Sequence, residues 1–425
     1  DIDRTDRRFR MDLADFDEKK NAGTRKSASS GGVYLLMTLF FMVMVSTVFL
    51  GKMYLNQMGD MSSESFPLPV SSEESEASSE PQVDPAEQKV EEELASMSLE
   101  QKVGQLFMVR NNGKGGLAKT VSQTHAGGVI LFAEDFKGKT ADQVRDMISE
   151  LQTASDGKMF VAVDEEGGTV VRVSSNTQLR SSKFLSPQRL YAKGGFDLIT
   201  TDTQEKCELL DSLGINMNMA PVADVCTEKS AFMYKRSFGK GPEETAEYVS
   251  TVVKAMRMMS VASCVKHFPG YGNSKSDTHK GLDTNEKSFD ELKESDLVPF
   301  DAAIRDGADA IMLTHTVVKS LDPDNPASLS SESVDLLREE MGFEGLLITD
   351  GLEMGAIIDF SGGDSGKVCV MAVQAGVDIL CAPKNPVSDY NAVLQAVKDG
   401  DISESRIDES VRRILRTKIR LGLYE

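Results

Sequence analysis

The stretch VASCVKHF, residues 261–268, is a short apolar run that leads directly into a long loop. Amphipathic stretches such as PEETAEYVSTVVKAMRMM (242–259) lie between this run and others like it. Six similar runs are GGVILF (127–132), KMFVAVD (158–164), INMNMAPVADV (215–225), ADAIMLTH (308–315), GLLITD (345–350) and VDILCAP (377–383). Continuous apolar strands that alternate with helices are typical of a parallel sheet covered on both faces. The sequence therefore predicts an α/β fold, and the number of units favours a TIM (β/α)8-type barrel.

The predicted barrel domain occupies residues 96–425. Ser98 and Gln101 form a capping-box pattern that opens a helix through LEQKVGQLFMV (99–109). An Arg-rich amphipathic stretch, DESVRRILRTKIRLGL (408–423), predicts a closing helix. We expect no second domain after it.

The uncharged run GVYLLMTLFFMVMVSTVFLG (32–51) is long enough to form one transmembrane helix. It lacks a polar face and a convincing cleavage site, which disfavours a core helix and a removed signal peptide. Residues 1–31 carry many Lys and Arg, whereas only Lys52 follows the run before Lys89. The positive-inside rule then predicts a cytoplasmic tail over 1–31 and a catalytic domain outside the cell membrane.

Residues 52–95 are rich in Ser, Glu and Pro, and residues 61–95 contain ten acidic residues and one Lys. Such a segment buries too little apolar surface to offset its ordering entropy. We therefore expect a solvated, disordered linker between the membrane helix and the barrel.

The overall composition excludes several classes of function. The 425 residues include 67 acidic and 47 basic side chains, a formal net charge of −20, which disfavours nucleic acid as a partner. The five cysteines are scattered and show no C-x-x-C spacing, so we expect small buried hydrophobic residues, with neither a zinc site nor a disulfide framework. No obligate protein partner is predicted.

Polar residues occur where several apolar runs end. Asp164, Lys266 with His267, His315 and Asp350 each stand at such an end. One Asp in that position is equally explained by a cap or a turn. In a TIM barrel, however, the chemistry lies at the carboxyl ends of the strands, so four polar ends on one rim indicate a site.

The loop FPGYGNSKSDTHKGLDT (268–284) carries Asp277 two residues before His279. A carboxylate beside an imidazole orients it as a general acid or base. Taken alone, the Asp-Thr-His motif is better explained by a surface salt bridge or an Asx turn. Its position, directly after a strand that ends in Lys266 and His267, favours the catalytic interpretation.

Four stretches together resemble glycoside hydrolase family 3, in its single-domain β-N-acetylglucosaminidase branch. They are LGINMNMAPVADV (213–225), KRSFGKGPEETAEYV (235–249), VKHFPGYGNSKSDTHKGLDT (265–284) and MGFEGLLITDGLEMGAI (341–357). Two-domain β-glucosidases of the family are less similar, because they take their acid/base from a second domain. The resemblance covers 96–425 and implies an enzyme without a cofactor.

The resemblance implies a retaining mechanism. Asp350 matches the nucleophile that attacks the anomeric carbon and forms a glycosyl-enzyme intermediate. His279 matches the acid/base, and Asp277 matches its dyad partner. This departs from the pair of carboxylates that most retaining glycosidases use.

The resemblance also implies a sugar-binding set. Its members match positions that hold the sugar hydroxyl and N-acetyl groups: Asp164, Arg172, Arg236, Lys266 and His267. Carboxylates and guanidinium groups suit sugars because they form bidentate, charge-assisted hydrogen bonds. A barrel-rim ion pair is the alternative for both arginines, and a structural role for His315 is as well supported as a catalytic one.

Two positions depart from the family pattern. Tyr271 stands where His is most common, and Gly351 stands where a second acidic residue often follows the nucleophile. Neither change removes a matched catalytic residue.

The predicted activity is hydrolysis of terminal β-linked N-acetylglucosamine from peptidoglycan fragments or chito-oligosaccharides. One alternative is a β-N-acetylglucosaminide phosphorylase, since an Asp-His dyad brings less negative charge near a phosphate acceptor than a Glu would. A non-catalytic cell-wall glycan-binding module is another, although the intact catalytic set disfavours it. A metal-dependent barrel hydrolase lacks its H-x-H spacing here, so we expect no metal and activity that survives EDTA.

Overall fold

A computed structural model describes residues 84–111, 113, 116–155, 158–271 and 282–424. The strands in this part of the chain are β1 (Phe107–Val109), β2 (Gly128–Leu131), β3 (Phe160–Val163), β4 (Met217–Asn218), β5 (Ala262–Phe268), β6 (Asp283–Asn285), β7 (Ala310–Leu313), β8 (Thr316–Val318), β9 (Leu346–Thr349) and β10 (Leu380–Cys381). Eight of them form a parallel sheet in the order β10-β1-β2-β3-β4-β5-β7-β9. A parallel bridge between Ile348 and Ile379 joins the two ends of this sheet. The result is a nearly closed eight-stranded barrel of the TIM type, which confirms the predicted α/β class.

Helices follow the strands around the outside of the barrel. The α-helices in the described residues are α1 (Pro85–Ser96), α2 (Leu99–Gln105), α3 (Leu117–Thr124), α4 (Ala133–Phe136), α5 (Ala141–Ala154), α6 (Pro187–Ser212), α7 (Pro242–Arg257), α8 (Phe289–Glu294), α9 (Val298–Arg305), α10 (Ser331–Asp335), α11 (Gly355–Phe360), α12 (Ser365–Ala375), α13 (Pro386–Lys398) and α14 (Glu404–Arg420). Short 3-10 turns span Phe232–Lys235 and Ala327–Leu329, and a π-helical turn spans Leu336–Glu340.

The seven apolar runs each contain a barrel strand. All residues of β2, β3, β7 and β9 are buried, as expected for strands that face the barrel interior on one side and helices on the other. The five cysteines are buried and carry free thiols, which confirms their predicted role as small hydrophobic residues.

The first strand corrects one prediction. The helix that opens at the Ser98 capping box ends at Gln105, and Phe107–Val109 form β1 instead of extending it to residue 109. Strand β1 pairs with β2 and β10, so these two neighbours supply its hydrogen bonds. Pairing partners that are distant in sequence override the local helical pattern here.

Helix α1 corrects a second prediction, because it lies within 52–95, the range predicted as linker. It buries Val90 and Leu94 one turn apart and packs against α14. Glu87 and Glu91, also one turn apart, form paired hydrogen bonds with arginines of α14. The folded domain therefore begins earlier than the predicted boundary at residue 96.

The predicted tail (1–31), membrane helix (32–51) and most of the predicted linker lie outside the described residues. Within the described residues, no helix combines the length and the apolar character needed to cross a membrane.

A small two-stranded parallel ribbon lies outside the barrel sheet. Strand β6 pairs with β8 from Asp283–Thr316 to Asn285–Val318. Strand β8 begins directly after His315, so the ribbon ties the segment that follows β5 to the segment that follows β7.

Candidate active site

An open cavity of about 300 Å³ lies at the carboxyl ends of the barrel strands. Six of the eight predicted site residues line it: Asp164, Arg172, Arg236, Lys266, His267 and Asp350. The other two, Asp277 and His279, lie outside the described residues. The barrel therefore brings the polar ends of β3, β5 and β9 to one place, as the strand-end pattern predicted. The catalytic and binding roles assigned to these residues stay predictions.

Lys266 is the centre of an ion-pair network beneath the cavity. Its Nζ lies 2.7 Å from Oδ1 of Asp164 and 2.8 Å from Oε1 of Glu166, and its side chain is only 2% exposed. Burial alone would lower the pKa of Lys266, but the two carboxylates outweigh burial and raise it. The lysine is therefore a fixed positive charge on the floor of the site.

Glu166 was not predicted as a site residue. It binds Arg236 through two hydrogen bonds, of 3.0 Å from Nε and 2.7 Å from Nη2. Burial opposes ionisation, but Arg236 and Lys266 hold the pKa of Glu166 well below its usual range. This bidentate pair fixes Arg236 at the cavity wall. Arg236 is therefore both a member of a barrel-rim ion pair and a residue that lines the cavity.

Arg172 approaches the cavity from the loop that follows β3. Its Nη2 lies 3.3 Å from Oδ2 of Asp164, and its guanidinium group stands 5.2 Å from the ring centroid of Phe132. Its Nε is buried and has no hydrogen-bond partner among the described residues. An unsatisfied buried donor costs about 1–3 kcal/mol. The side chain as a whole is 25% exposed and lines the cavity, so its guanidinium group can donate to a ligand oxygen.

The loop that carries Arg172 is fixed from behind by Glu165. The Glu165 carboxylate accepts hydrogen bonds from the backbone N–H groups of Arg172 and Val173, at 2.8 and 2.7 Å. Glu165 is fully buried, so its role is to shape the loop.

His267 is oriented by Asp224, a second residue that the sequence interpretation missed. Nδ1 of His267 lies 2.7 Å from Oδ2 of Asp224, which is buried. Because a carboxylate accepts hydrogen bonds, Nδ1 donates, and the tautomer of the ring is fixed. Asp224 also accepts from the backbone N–H of Tyr271 at 2.5 Å, so one carboxylate positions both residues.

Asp350 follows β9 directly and accepts a hydrogen bond from the Gly351 N–H at Oδ1, 2.7 Å away. Burial raises the pKa of Asp350, but His267, His315, the Gly351 N–H and Lys266 together lower it below its ordinary value. The carboxylate is therefore ionised at neutral pH. No described residue hydrogen-bonds to Oδ2, which is the oxygen available to a ligand.

His315 lies behind this turn and is fully buried. Its Nε2 lies 3.1 Å from the carbonyl oxygen of Gly351, and its Nδ1 lies 2.7 Å from Oγ of Ser328. A carbonyl oxygen only accepts, so Nε2 donates to it. His315 is thus a positioning residue for the turn after Asp350, which favours the structural interpretation.

Tyr271 and Gly351, the two departures from the family pattern, both fit the structure without steric conflict. Tyr271 is 6% exposed and lines the cavity. A Cβ atom at Gly351 would meet only the Met354 side chain, at the ordinary contact distance of 3.9 Å.

Sequence signals for the two missed carboxylates were present. Glu166 stands two residues after Asp164, the spacing that places side chains on one face of an extended segment. Asp224 comes near the end of the apolar run 215–225, six residues after β4 ends at Asn218, whereas Asp164 directly follows β3.

Comparisons with known proteins identify the family of this chain. The model of the glycosyl hydrolase family 3 N-terminal domain matches residues 98–417. An uncharacterized secreted glycosyl hydrolase of Arthroderma benhamiae is 33% identical, over 72% of this chain and 88% of that protein. A protein named Beta-hexosaminidase from Stenotrophomonas maltophilia is 31% identical, over 60% of this chain and 76% of that protein.

Among solved structures, a family 3 β-N-acetylglucosaminidase from Paenibacillus sp. str. FPU-7 superposes with a TM-score of 0.72 at 34% sequence identity. The match covers 77% of this chain and 63% of that one, so the chain spans less than two thirds of the Paenibacillus protein. The family match over 98–417 confirms the prediction made from the motifs: the chain belongs to glycoside hydrolase family 3 and is a glycoside hydrolase.

Proposed function

We propose that this protein is an exo-acting β-N-acetylhexosaminidase that releases terminal β-linked N-acetylglucosamine with retention of configuration. The names of the Stenotrophomonas and Paenibacillus relatives support the substrate class. The observation that carries the proposal is the ionised carboxylate of Asp350, which shares one cavity with Asp164, Arg172 and Lys266.

In this mechanism Asp350 is the nucleophile. Its free Oδ2 forms a bond to the anomeric carbon while the bond from that carbon to the glycosidic oxygen breaks. The departing oxygen takes a proton from His279. Water then gives a proton back to His279 and its oxygen displaces Asp350, which regenerates the carboxylate.

The residues beneath the cavity bind the terminal sugar. Asp164 accepts hydrogen bonds from sugar hydroxyls, while the guanidinium group of Arg172, whose side chain is partly exposed at the cavity, donates to a sugar oxygen. Lys266 and His267 complete this set at the end of β5. Because these groups are held by carboxylates of the protein itself, they are ordered before substrate arrives, which lowers the entropy cost of binding.

The Asp277–His279 dyad is proposed as the acid/base from its motif. A charge argument supports a proton donor other than the carboxylates at the end of β3. At Asp164, Lys266 and Arg172 outweigh the effect of burial and lower the pKa of the carboxyl group. At Glu166, Arg236 and Lys266 do the same. Both are therefore ionised at neutral pH and have no proton to give to a leaving group.

The full chain should be assayed on a chromogenic β-N-acetylglucosaminide, with β-glucoside and β-xyloside analogues beside it. We expect preferential cleavage of the N-acetyl substrate, loss of that activity in Asp350→Asn, and unchanged activity in the exposed control Asp359→Asn. A sugar 1-phosphate formed in phosphate buffer would instead identify a phosphorylase. Glycan binding without turnover of any substrate would identify a non-catalytic module.

We further propose that residues 32–51 anchor the enzyme as a single-pass membrane protein. The uncharged run and its basic N-terminal flank support an outward-facing catalytic domain. Peptidoglycan fragments are then the favoured substrate, with chito-oligosaccharides as the second choice. A protease-cleavable tag in the predicted linker should be cut in intact cells, and protection of the tag would contradict this topology.

A further inference from the structure

Phe232 exposes an aromatic side chain at the cavity. Only two large hydrophobic side chains are exposed among the described residues, Phe232 with 42% and Met258 with 80% of the surface accessible. Phe232 lines the same cavity as Asp350, whereas Met258 follows α7 and does not line it. An exposed aromatic ring at the wall of a cavity that also presents charged groups is a contact surface for a ligand.

The backbone holds this ring in a defined place. Phe232 opens the 3-10 turn, and the next residue, Met233, is buried in a cluster with Cys226 and Tyr271, so the turn is anchored by packing. Gln188 donates from Nε2 to the carbonyl oxygen of Tyr234 within the turn at 2.5 Å. Arg236, which follows the turn directly, is fixed by its bidentate ion pair. The exposed ring is therefore positioned relative to the charged groups of the site.

Three rings run outward from the buried part of the site. The His267 and Tyr271 ring centroids are 5.8 Å apart, and those of Tyr271 and Phe232 are 6.1 Å apart. Their exposed fractions rise from 5% for His267 and 6% for Tyr271 to 42% for Phe232. The row therefore leads from the buried polar groups, which would bind the terminal sugar, to the mouth of the cavity. A leaving group attached to that sugar points toward the mouth.

We propose that Phe232, supported from behind by Tyr271, is the platform on which the leaving-group sugar packs. This inference rests on the proposed function and adds that the leaving group of the substrate is a pyranose sugar. The face of an aromatic ring is slightly negative, and the C–H groups on a pyranose face are slightly positive. Contact between the two favours a disaccharide over a substrate whose leaving group has no such face.

Two substrates separate this contact from the chemistry. N,N′-diacetylchitobiose has a pyranose leaving group, whereas β-N-acetylglucosaminyl fluoride has a single atom that cannot reach Phe232. We would measure kcat/KM on both substrates for the full chain and for Phe232→Ala, Phe232→Tyr and Met258→Ala. Met258→Ala is the matched control, because it removes the other exposed hydrophobic side chain.

We expect Phe232→Ala to lower kcat/KM about tenfold on the disaccharide, a loss of about 1.4 kcal/mol, and to leave the fluoride unaffected. Phe232→Tyr and Met258→Ala should retain wild-type values on both. An equal loss on both substrates, or a loss on neither, would overturn the inference while the proposed function stands. Failure of the wild-type chain to turn over either substrate would overturn the proposed function, and the inference with it.

Discussion

Nζ of Lys266 lies 2.8 Å from Oε1 of Glu166, and both side chains are almost completely buried, at 2% and 3% exposed. This pair joins the end of β5 to the segment that follows β3. Each charge is compensated by further partners, since Lys266 also binds Asp164 and Glu166 also binds Arg236. The network is therefore a rigid, preorganised floor for a polar ligand.

Removing one charge from this ion-pair network should lower the stability of the folded chain. We expect Glu166→Gln to lower the free energy of unfolding by about 3 kcal/mol, because it leaves Lys266 and Arg236 buried with less compensation. The exposed substitution Glu247→Gln on α7 is the matched control and should leave the stability unchanged. Chemical denaturation of the three proteins measures the difference. Equal stability of Glu166→Gln and the control would show that the network contributes nothing to folding.

The same carboxylate predicts how stability changes with pH. The pKa of Glu166 lies well below its usual range in the folded chain and is about 4.3 when unfolded. Its stabilising contribution is therefore present above about pH 4.3 and is lost as the pH falls toward the folded-state pKa.

Unfolding measured from neutral to acidic pH should thus show a smaller loss of stability for Glu166→Gln than for the wild type. Part of the pH dependence of stability should remain in Glu166→Gln, because the pKa of Asp164 is also lowered in the folded chain. Glu247→Gln should follow the wild-type curve, and a Glu166→Gln curve parallel to it would contradict the assignment.

His315 should affect turnover more than binding. His315→Ala removes the hydrogen bond to the Gly351 carbonyl and loosens the turn that carries Asp350, so we expect kcat to fall about tenfold with little change in KM. His315→Gln keeps a side-chain N–H and should recover part of the rate. Steady-state kinetics on the chromogenic substrate test this. A rise in KM at unchanged kcat would place His315 in contact with substrate instead.

Helix α1 should contribute to stability through its buried face more than through its ion pairs. We expect Leu94→Ala to lower the free energy of unfolding by about 2–5 kcal/mol, since the side chain is 4% exposed. Glu91→Gln, which breaks a solvent-exposed pair with Arg412, should cost less than about 1 kcal/mol. Equal effects, measured by denaturation, would mean that α1 is held mainly by charge.

Much of the barrel was predictable from sequence because strands covered on both faces read as unbroken apolar runs. Strand β1 was not, because its three residues follow a well-capped helix and pair only with β2 and β10. Helix α1 could not be predicted from the sequence for a similar reason. Its only buried residues, Val90 and Leu94, stand among acidic residues, and two of these, Glu87 and Glu91, have their partners on α14 at the other end of the chain.

The site shows the same division between local and distant signals. Strand-end positions identified Asp164, Lys266, His267 and Asp350, because one rim of a barrel gathers all such ends. The functions of Glu166 and Asp224 depend on which cation or imidazole each contacts. Those contacts arise only when strands β3, β4 and β5 are side by side.

The central claim is that Asp350 forms a covalent bond to the sugar, and trapping that intermediate tests it most directly. The full chain would be incubated with a fluorinated N-acetylglucosaminyl fluoride that loads the enzyme faster than it is released, then digested and analysed by mass spectrometry. We predict one added sugar, on the peptide and residue of Asp350. A sugar attached to another side chain, or turnover that inverts the anomeric configuration without any adduct, would contradict the mechanism.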